Sequence, residues 1–280
     1  MKKFVLAAAI IAGLMLLFGL QNRAVAGECS AKHSEMLYTT VLVDTKSGSG
    51  SGTVIYSAEK DGEWATYILT NYHVIRTAIR VREEWDSKQG KKIEKERRQA
   101  VKAVWFDYND CSRSIGNRGK TANIVAYDKA ADLALLKLVD TERGVNQVAA
   151  MFPENDFVTL GDQVWAVGAG LGIQPFMTVG LLSFQDQQID GYRYMLSSAP
   201  IIFGNSGGAL FTYSAARVRY ELIGVPSRVS AMGWGNAVPH MAWSIPISTV
   251  REFIRHNDLG EVIFGDAPKE EKEEEKEASK

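Results

Sequence analysis

A glycine-rich turn carries the residue that is best placed for covalent chemistry in this sequence. Residues 203–210 read Phe-Gly-Asn-Ser-Gly-Gly-Ala-Leu, so Ser206 has glycines close on both sides. Glycine costs backbone entropy and supplies conformational freedom and space in return. Such a turn can expose the Ser206 hydroxyl and aim the N–H groups of Gly204 and Ser206, with Asn205 between them, as an oxyanion hole for acyl transfer. A purely structural glycine turn is the alternative, because such turns are common.

A serine hydroxyl becomes a good nucleophile only when a base takes its proton, and histidine is the usual base. His73 follows the strand-like run that begins at Thr66, so a neighbouring strand can hold its imidazole rigidly. Surface or packing roles are the expectation for the three other histidines, which are His33, His240 and His256. We therefore expect His73 to be the base.

The third member of such a site is a carboxylate that holds the histidine in the correct tautomer. Asp132 stands directly before the apolar run Leu133 to Leu138, which is a suitable place for it. Asp128 is the competing candidate, but it lies four residues farther from that run. For either aspartate the alternative is a solvated turn residue.

The elements that must position these residues are short strands. Between Met36 and Phe264 the apolar runs are short, rich in β-branched residues and separated by turn residues, which is typical of an all-β domain that closes into one or two barrels. The one helix we predict runs from Thr249 to His256, with Ser248 as its N-cap.

The composition excludes several classes of protein. The chain has 280 residues, with 32 Lys plus Arg against 33 Asp plus Glu, and a net charge of −1. This balance disfavours a nucleic-acid-binding protein. Hydrophobic residues at 46% and charged residues at 23% are ordinary for a globular chain and unlike a disordered or multi-span membrane protein.

Both ends of the chain differ from the body. Residues 1–26 combine two lysines, an apolar run and an Ala-x-Ala site, which predicts a signal peptide cleaved after Ala26, with an uncleaved membrane anchor as the alternative. We therefore expect a periplasmic or secreted protein, at the membrane only if this segment is retained. Residues 27–265 form the predicted domain, and residues 266–280 a charged, disordered tail.

Two further features have open interpretations. Cys29 and Cys111 would meet an oxidising compartment, where a single disulfide and two unpaired thiols are both reasonable. The stretch from Arg82 to Lys102 is rich in cations and predicts a charged hairpin with its turn at residues 88–91. This hairpin is either a solvated element or a patch for an anionic surface or acidic substrate.

Three segments in the order His, Asp, Ser carry a family resemblance. They read Leu-Thr-Asn-Tyr-His-Val at residues 69–74, Asp-Leu-Ala-Leu-Leu-Lys-Leu at 132–138 and Gly-Asn-Ser-Gly-Gly-Ala-Leu at 204–210. Residues 48–54, 160–168 and 243–246 agree as well. The chain thus resembles the chymotrypsin-fold (trypsin-like) serine proteases, most of all their HtrA/Deg branch, over roughly Val41 to Ile254.

The resemblance implies a fold of two six-stranded antiparallel β-barrels with a short C-terminal helix and the active site between the barrels. It makes Ser206 the nucleophile, His73 the general base and acid, and Asp132 the orienting carboxylate. Asn205 stands where digestive relatives have an aspartate paired with a new N-terminus. Activation by N-terminal insertion is therefore not expected, and control by loop ordering is. No PDZ domain is expected after the terminal helix.

The segments that resemble the walls of the primary specificity pocket carry no charge. They contain Pro200 and Ile201 on one side and Gly224 and Val225 on the other, which implies a pocket for small or medium apolar side chains. Pro226 and Pro200 depart from the family pattern, and Pro226 has no N–H to donate to an extended peptide.

The sequence thus predicts an exported serine endopeptidase that cleaves unfolded or flexible polypeptides at apolar residues through an acyl-enzyme. A catalytically silent peptide-binding protein and a dedicated processing protease with one partner are the alternatives. No phosphate loop, zinc signature or haem motif is present, so no cofactor and no metal are expected. The partners are polypeptide substrates and no nucleic acid, and a homo-oligomer is left open.

Overall fold

The computed structural model describes residues 31–87, 90–109, 111, 113–233 and 235–267. The predicted signal peptide, Cys29, two turn residues of the charged hairpin and the tail beyond residue 267 lie outside the described residues. Within the described residues, no helix has the length and apolar character that a membrane crossing needs.

The first half of the chain forms a closed barrel of six antiparallel strands in the order β1-β2-β3-β8-β7-β6. Their bounds are β1 (Thr40–Thr45), β2 (Gly48–Lys60), β3 (Glu63–Thr70), β6 (Val101–Asn109), β7 (Arg113–Asp128) and β8 (Leu133–Leu138). The side chains alternate between core and solvent, as a half-buried strand requires. In β7, for example, Ala122, Ile124 and Ala126 are buried, whereas Asn123 and Val125 are exposed.

The second half forms another closed antiparallel barrel, in the order β10-β11-β14-β13-β12-β9. Its strands are β9 (Gln163–Gly168), β10 (Phe176–Ile189), β11 (Tyr192–Ser197), β12 (Ala209–Ser214), β13 (Arg219–Met232) and β14 (Asn236–Pro246). The prediction of two six-stranded antiparallel barrels is therefore confirmed.

One apolar cluster joins the two barrels. It contains Leu69 and Leu135 from the first barrel and Val167, Phe211 and Val225 from the second, all fully buried. Burial of apolar side chains on this scale is the main force that holds packed elements together. The ends of β3, β8 and β12, which bear the predicted site residues, therefore have fixed relative positions.

The charged hairpin of the sequence is present as a separate two-stranded sheet. β4 (Ile79–Asp86) pairs with β5 (Lys91–Arg98) in antiparallel register, with Ile79 opposite Arg98 and Asp86 opposite Lys91. At the turn, the Gly90 N–H donates to the Asp86 carbonyl at 2.8 Å. The hairpin is thus attached to the first barrel, and its two strands are not part of the barrel sheet.

Three α-helices lie wholly within the described residues: α1 (Tyr72–Ile75), α2 (Ile247–His256) and α3 (Gly260–Phe264). The predicted terminal helix is α2, and its buried residues are Val250, Phe253 and Ile254. The prediction that Ser248 is its N-cap is wrong. Pro246 holds that position with φ −64° and ψ 152°, because proline already has the φ angle that leads into a helix.

Candidate active site

His73 is positioned by the short helix α1 at the end of β3. Asn71, the residue before this helix, is fully buried and donates from Nδ2 to the Asp132 carbonyl oxygen at 2.8 Å. The Tyr72 N–H donates to the same carbonyl at 3.3 Å. The backbone at Asp132 therefore fixes the segment that leads into His73.

The carboxylate of Asp132 holds the imidazole of His73. Nδ1 of His73 lies 2.8 Å from Oδ2 and 3.0 Å from Oδ1, and the His73 backbone N–H donates to Oδ1 at 3.0 Å. Only a protonated Nδ1 can donate to a carboxylate, so the neutral ring keeps the lone pair of Nε2 free to take a proton. The His73 side chain is 38% exposed and that of Asp132 is 12% exposed, so the ring faces the cleft and its partner does not.

Asp128, the competing aspartate, has a different function. Its Oδ1 accepts the N–H groups of Ala130 and Ala131 at 2.8 and 3.0 Å, which shapes the turn before β8. Asp132 follows that turn with a left-handed φ of 54°, a conformation that aspartate adopts more readily than most residues. The structure thus pairs His73 with Asp132, as the sequence predicts.

Ser206 lies in the turn before β12, and the turn requires glycine at two positions. Gly204 and Gly207 have φ angles of 98° and 82°. A Cβ on Gly204 would lie 2.7 Å from the Leu171 nitrogen, and one on Gly207 would collide with the carbonyl of Ser51. The turn is also fixed to the first barrel, because the Ser51 N–H donates to the Ser206 carbonyl at 2.8 Å.

Two backbone donors of this turn are available to a ligand. Within the described part of the chain, the N–H groups of Gly204 and Ser206 donate to no acceptor. The Asn205 N–H donates to the Ile202 carbonyl at 3.0 Å, and its Oδ1 accepts the Ile202 N–H at 3.1 Å. The inclusion of Asn205 among the oxyanion-hole residues is therefore corrected: Asn205 shapes the turn, and its own N–H is occupied.

Ser227 connects the two parts of the site, and sequence reasoning missed it. Its hydroxyl donates to Oδ2 of Asp132 at 2.6 Å, and its carbonyl accepts the hydroxyl of Ser206 at 3.4 Å. The Ser206 hydroxyl thus points to Ser227 and makes no hydrogen bond with His73 among the described residues. A serine after Pro226 gives no signal of this role in the sequence, because the partner of Ser227 lies 95 residues away.

A cation also lies beside the site. Arg228 follows Ser227, its guanidinium is 5.0 Å from the centre of the Tyr194 ring, and it pairs with Asp190 at 3.0 Å. Although partial burial disfavours the charged form, the hydrogen bond to Asp190 raises the pKa of Arg228. A charged guanidinium thus follows directly after the residue that joins Asp132 to the serine turn.

The four predicted pocket residues are only partly open to the cleft. Pro200 is exposed, Gly224 is buried, and the side chains of Ile201 and Val225 are 5% and 0% exposed because they pack in the barrel core. Ile201 and Val225 thus support the backbone of this region and present little side-chain surface to a ligand.

The remaining reactive residues lie apart from this site. His33 is buried in a π-helical turn (His33–Leu37), His240 is exposed, and His256 contacts the Glu252 carbonyl through Nδ1 at 2.8 Å. Cys111 is half-buried and forms no disulfide with another described residue. Its pairing with Cys29 stays a prediction, because Cys29 lies outside the described residues.

Comparison with known proteins gives a consistent family. A model of the trypsin-like peptidase domain matches residues 50–219. The chain is 31% identical over 136 residues to a probable periplasmic serine endoprotease, DegP-like, from Rhizobium meliloti (strain 1021), a match that covers 48% of this chain and 25% of that protein. It is 27% identical over 223 residues to the periplasmic pH-dependent serine endoprotease DegQ of Escherichia coli (strain K12), covering 78% of this chain and 39% of DegQ. This chain thus spans well under half the length of these two relatives.

Solved structures show the same fold at low identity. A serine endoprotease from Yersinia pestis has a TM-score of 0.55 and 21% identity, over 82% of this chain and 66% of that chain. The HtrA-type protease AlgW with tripeptide has a TM-score of 0.55 and 22% identity, over 85% and 65%. From the two-barrel fold and the matched domain, we conclude that this chain belongs to the trypsin-like peptidase domain family.

Proposed function

We propose that this chain is an exported serine endopeptidase that hydrolyses peptide bonds of unfolded or flexible proteins through an acyl-enzyme. The observation that supports this most is the pairing of Asp132 with Nδ1 of His73 at 2.8 Å, beside a serine turn with two unoccupied N–H donors. Family membership supports the same reaction class.

In the proposed mechanism, Oγ of Ser206 attacks the carbonyl carbon of the scissile bond while Nε2 of His73 takes its proton. Asp132 stabilises the imidazolium that forms, and the N–H groups of Gly204 and Ser206 stabilise the oxyanion. The intermediate then collapses as Nε2 returns the proton to the leaving amine, which leaves an acyl-enzyme. Water, with its proton taken by His73, releases the acid and regenerates Ser206.

The Ser206 hydroxyl must rotate before this chemistry starts. In the structure it donates to the Ser227 carbonyl, and attack requires that it donate to Nε2 of His73 instead. A substrate strand that engages the cleft would supply the change, which agrees with control by loop ordering rather than by N-terminal insertion. The hydrogen bond at 3.4 Å is long, so little free energy opposes the rotation.

The edge of β13 beside Ser227 is the proposed docking edge for the substrate. Residues Arg219 to Gly224 of β13 pair with β12, whereas Val225 and the following residues have β14 as their only strand partner in the described chain. The Pro226 carbonyl is also occupied, because it accepts the Gly207 N–H at 3.0 Å. An extended peptide can add to such an edge by backbone hydrogen bonds, which favours unfolded segments over folded ones. Pro226 gives no N–H to that edge, so pairing would begin at Ser227.

A catalytically silent peptide-binding protein is the second candidate, favoured by the absence of a Ser206–His73 hydrogen bond among the described residues. A fluorophosphonate probe decides between the two. Labelling of the folded chain that disappears in Ser206→Ala supports the peptidase. A folded wild-type chain that the probe does not label, and that does not cleave labelled casein, would exclude the peptidase.

Specificity and export are tested separately. A peptide-library digest is expected to show cleavage after small or medium apolar residues, and dominant cleavage after arginine or lysine would refute the apolar pocket.

Mass spectrometry of the exported protein under non-reducing conditions is expected to give a chain that begins at Gly27. A mass that retains residues 1–26 would indicate the membrane anchor instead, and the same spectrum shows whether Cys29 and Cys111 pair.

A further inference from the structure

Ser51 is a fully buried serine of β2 whose hydroxyl reaches from the first barrel into the serine turn of the second. Its Oγ donates to the Gly204 carbonyl at 2.6 Å and accepts the Ala169 N–H at 2.7 Å. Its backbone also contributes, because the Ser51 N–H donates to Ser206 and its carbonyl accepts the hydroxyl of Thr70 at 2.7 Å. One residue thus contacts both backbone segments that surround the candidate oxyanion hole.

The conformation of Gly204 alone does not fix the direction of its N–H. A glycine with a φ of 98° can turn its flanking peptide planes at little steric cost, so partners must fix them. The Phe203 carbonyl accepts the Leu171 N–H at 2.7 Å, which fixes the plane before Gly204. The hydroxyl of Ser51 fixes the plane after it. The Gly204 N–H belongs to the plane before Gly204. Because C=O and N–H point in opposite directions across a planar trans peptide, the Leu171 contact aims this N–H away from the loop at Leu171. Ser51 holds that loop as well, because its hydroxyl accepts the N–H of Ala169, two residues before Leu171.

We propose that Ser51 is a positioning residue for the oxyanion hole: it ties the loop at residues 169–171 to the serine turn, and so keeps in place the Leu171 contact that sets the direction of the Gly204 N–H. This rests on the proposed function. Ser51 touches neither the substrate nor the reacting atoms. Its removal would leave the Ala169 N–H and the Gly204 carbonyl buried without a partner, so the turn would relax toward other arrangements.

The test compares Ser51→Ala with Ser197→Ala in the full chain. Ser197 is also a buried serine of a barrel strand, and its hydroxyl has no partner among the described residues, so its loss removes the same atoms without these contacts. With labelled casein, we expect Ser51→Ala to lower kcat by about 10- to 100-fold, less than or equal to the loss of one oxyanion donor. We expect KM to change by less than about threefold, because the hole acts mainly in the transition state. Ser197→Ala is expected to match the wild type.

A purely structural role would lower the melting temperature and leave kcat of the folded enzyme unchanged. That result, or equal kcat in the two variants, would overturn the proposal while leaving the proposed function intact. A wild-type chain without labelling or cleavage would overturn both.

Should Ser51→Ala not fold, Ser51→Cys keeps the shape with a weaker hydrogen-bonding group and is expected to show the same loss of kcat. Fast hydrogen exchange of the Ala169 amide in the wild type would refute the contact independently of any variant.

Discussion

At the residue scale, the carboxylate of Asp132 has three donors arranged around it. Nδ1 and the backbone N–H of His73 occupy one side, and the hydroxyl of Ser227 donates to Oδ2 from the other. This arrangement fixes the carboxylate as well as the imidazole. The orientation of His73 therefore depends on a residue of the second barrel, although both members of the pair belong to the first.

The first prediction is the loss of activity in Asp132→Asn. An amide can present N–H to Nδ1 of His73, which would stabilise the tautomer that has its proton on Nε2 and cannot act as a base. We expect kcat to fall by about 10⁴-fold with the fold retained. Steady-state kinetics measure this, with Asp128→Asn as the control, since Asp128 only shapes a turn. Comparable losses in both variants would contradict the assigned role of Asp132.

The second prediction concerns Ser227→Ala. This change removes one hydrogen bond to the Asp132 carboxylate and leaves the Ser227 carbonyl in place. We expect kcat to fall about tenfold, the kinetic equivalent of ~1.4 kcal/mol, because a hydrogen bond to a charged group contributes about that much. Ser197→Ala serves as the comparison. A Ser227→Ala enzyme with wild-type kcat would show that the His73–Asp132 pair needs no support from β13.

The sequence predicts His73, Asp132 and Ser206 because their types and local settings are distinctive. Ser227, Ser51 and the occupied N–H of Asn205 could not be predicted in the same way. The contacts of Ser227 and Ser51 form only when the barrels meet, and that of Asn205 depends on the exact shape of its turn, which the residue types do not specify. The burial of Ile201 and Val225 could not be predicted either, because alternation along a segment does not show which of its two faces lines the cleft.

At the element scale, contacts at its base fasten the charged hairpin to the first barrel. The Tyr127 hydroxyl donates to Glu96, which raises the pKa of Tyr127 to about 12, and Arg98 donates to the Val125 carbonyl at 2.9 Å. At the base Arg80 lies opposite Arg97, and farther out Arg82 lies opposite Lys95. Opposed cations are destabilising in a ladder. The pairs of Glu84 with Lys95 and of Glu83 with Lys92 offset this, but they are exposed and contribute little, so we expect the outer part to add little stability.

The third prediction is that the outer hairpin is dispensable for folding and basal hydrolysis. Residues 82–95 are replaced by a short Gly-Ser turn between Val81 and Glu96, which face each other in the ladder. We expect the melting temperature to shift by less than about 4 °C and casein cleavage to be unchanged. Replacing 79–98, which removes Glu96 and Arg98 too, is expected to cost more. A large loss in the first variant would mean that the outer hairpin belongs to the folding unit.

The positions of most strands follow from the sequence, and their ends do not. The strand-like apolar runs are predicted from Met36 onward, yet Met36 and Leu37 belong to a π-helical turn, and β1 begins at Thr40. The run around Leu37 is apolar because Met36 and Leu37 pack against the core, and apolarity alone does not distinguish a buried turn from a strand. Ser248 is not the N-cap of α2, because the helix already begins at Ile247, directly after Pro246.

At the scale of the whole molecule, stability at acidic pH depends on a buried carboxylate. Glu221 is fully buried and accepts hydrogen bonds from Arg217 at 2.7 and 2.8 Å and from Arg219 at 2.8 Å. Burial by itself would raise the pKa of Glu221, but the two guanidinium groups outweigh it and lower the pKa. The stabilisation is therefore present above the unfolded pKa of about 4.3 and is lost as pH falls through the folded value.

The fourth prediction is that Glu221→Gln destabilises the protein by roughly 3 kcal/mol at neutral pH, because two cations lose a buried partner. The variant should also lose less stability than the wild type on acidification, since its amide does not titrate. Urea unfolding at neutral and acidic pH measures both effects. Glu154→Gln is the control, because Glu154 is 53% exposed and its pair with Arg255 contributes less than about 1 kcal/mol. Equal effects of the two changes would contradict this account.

The barrels and their number were predictable only through the family resemblance. Short alternating strands indicate an all-β domain, but they do not specify which strands close on which. The pairing of β1 with β6 and of β3 with β8 joins segments that are far apart in sequence, and no local pattern encodes it.

The division of the candidate site between two barrels has a consequence for the cell that makes the protein. Residues 40–138 hold His73 and Asp132, but Ser206 and the second half of the site follow only with the second barrel. A partly synthesised or partly folded chain therefore holds no complete set of reacting groups. If the chain is the exported peptidase proposed above, the producing cell handles an inactive polypeptide, and proteolysis is expected to begin only after both barrels have folded and docked.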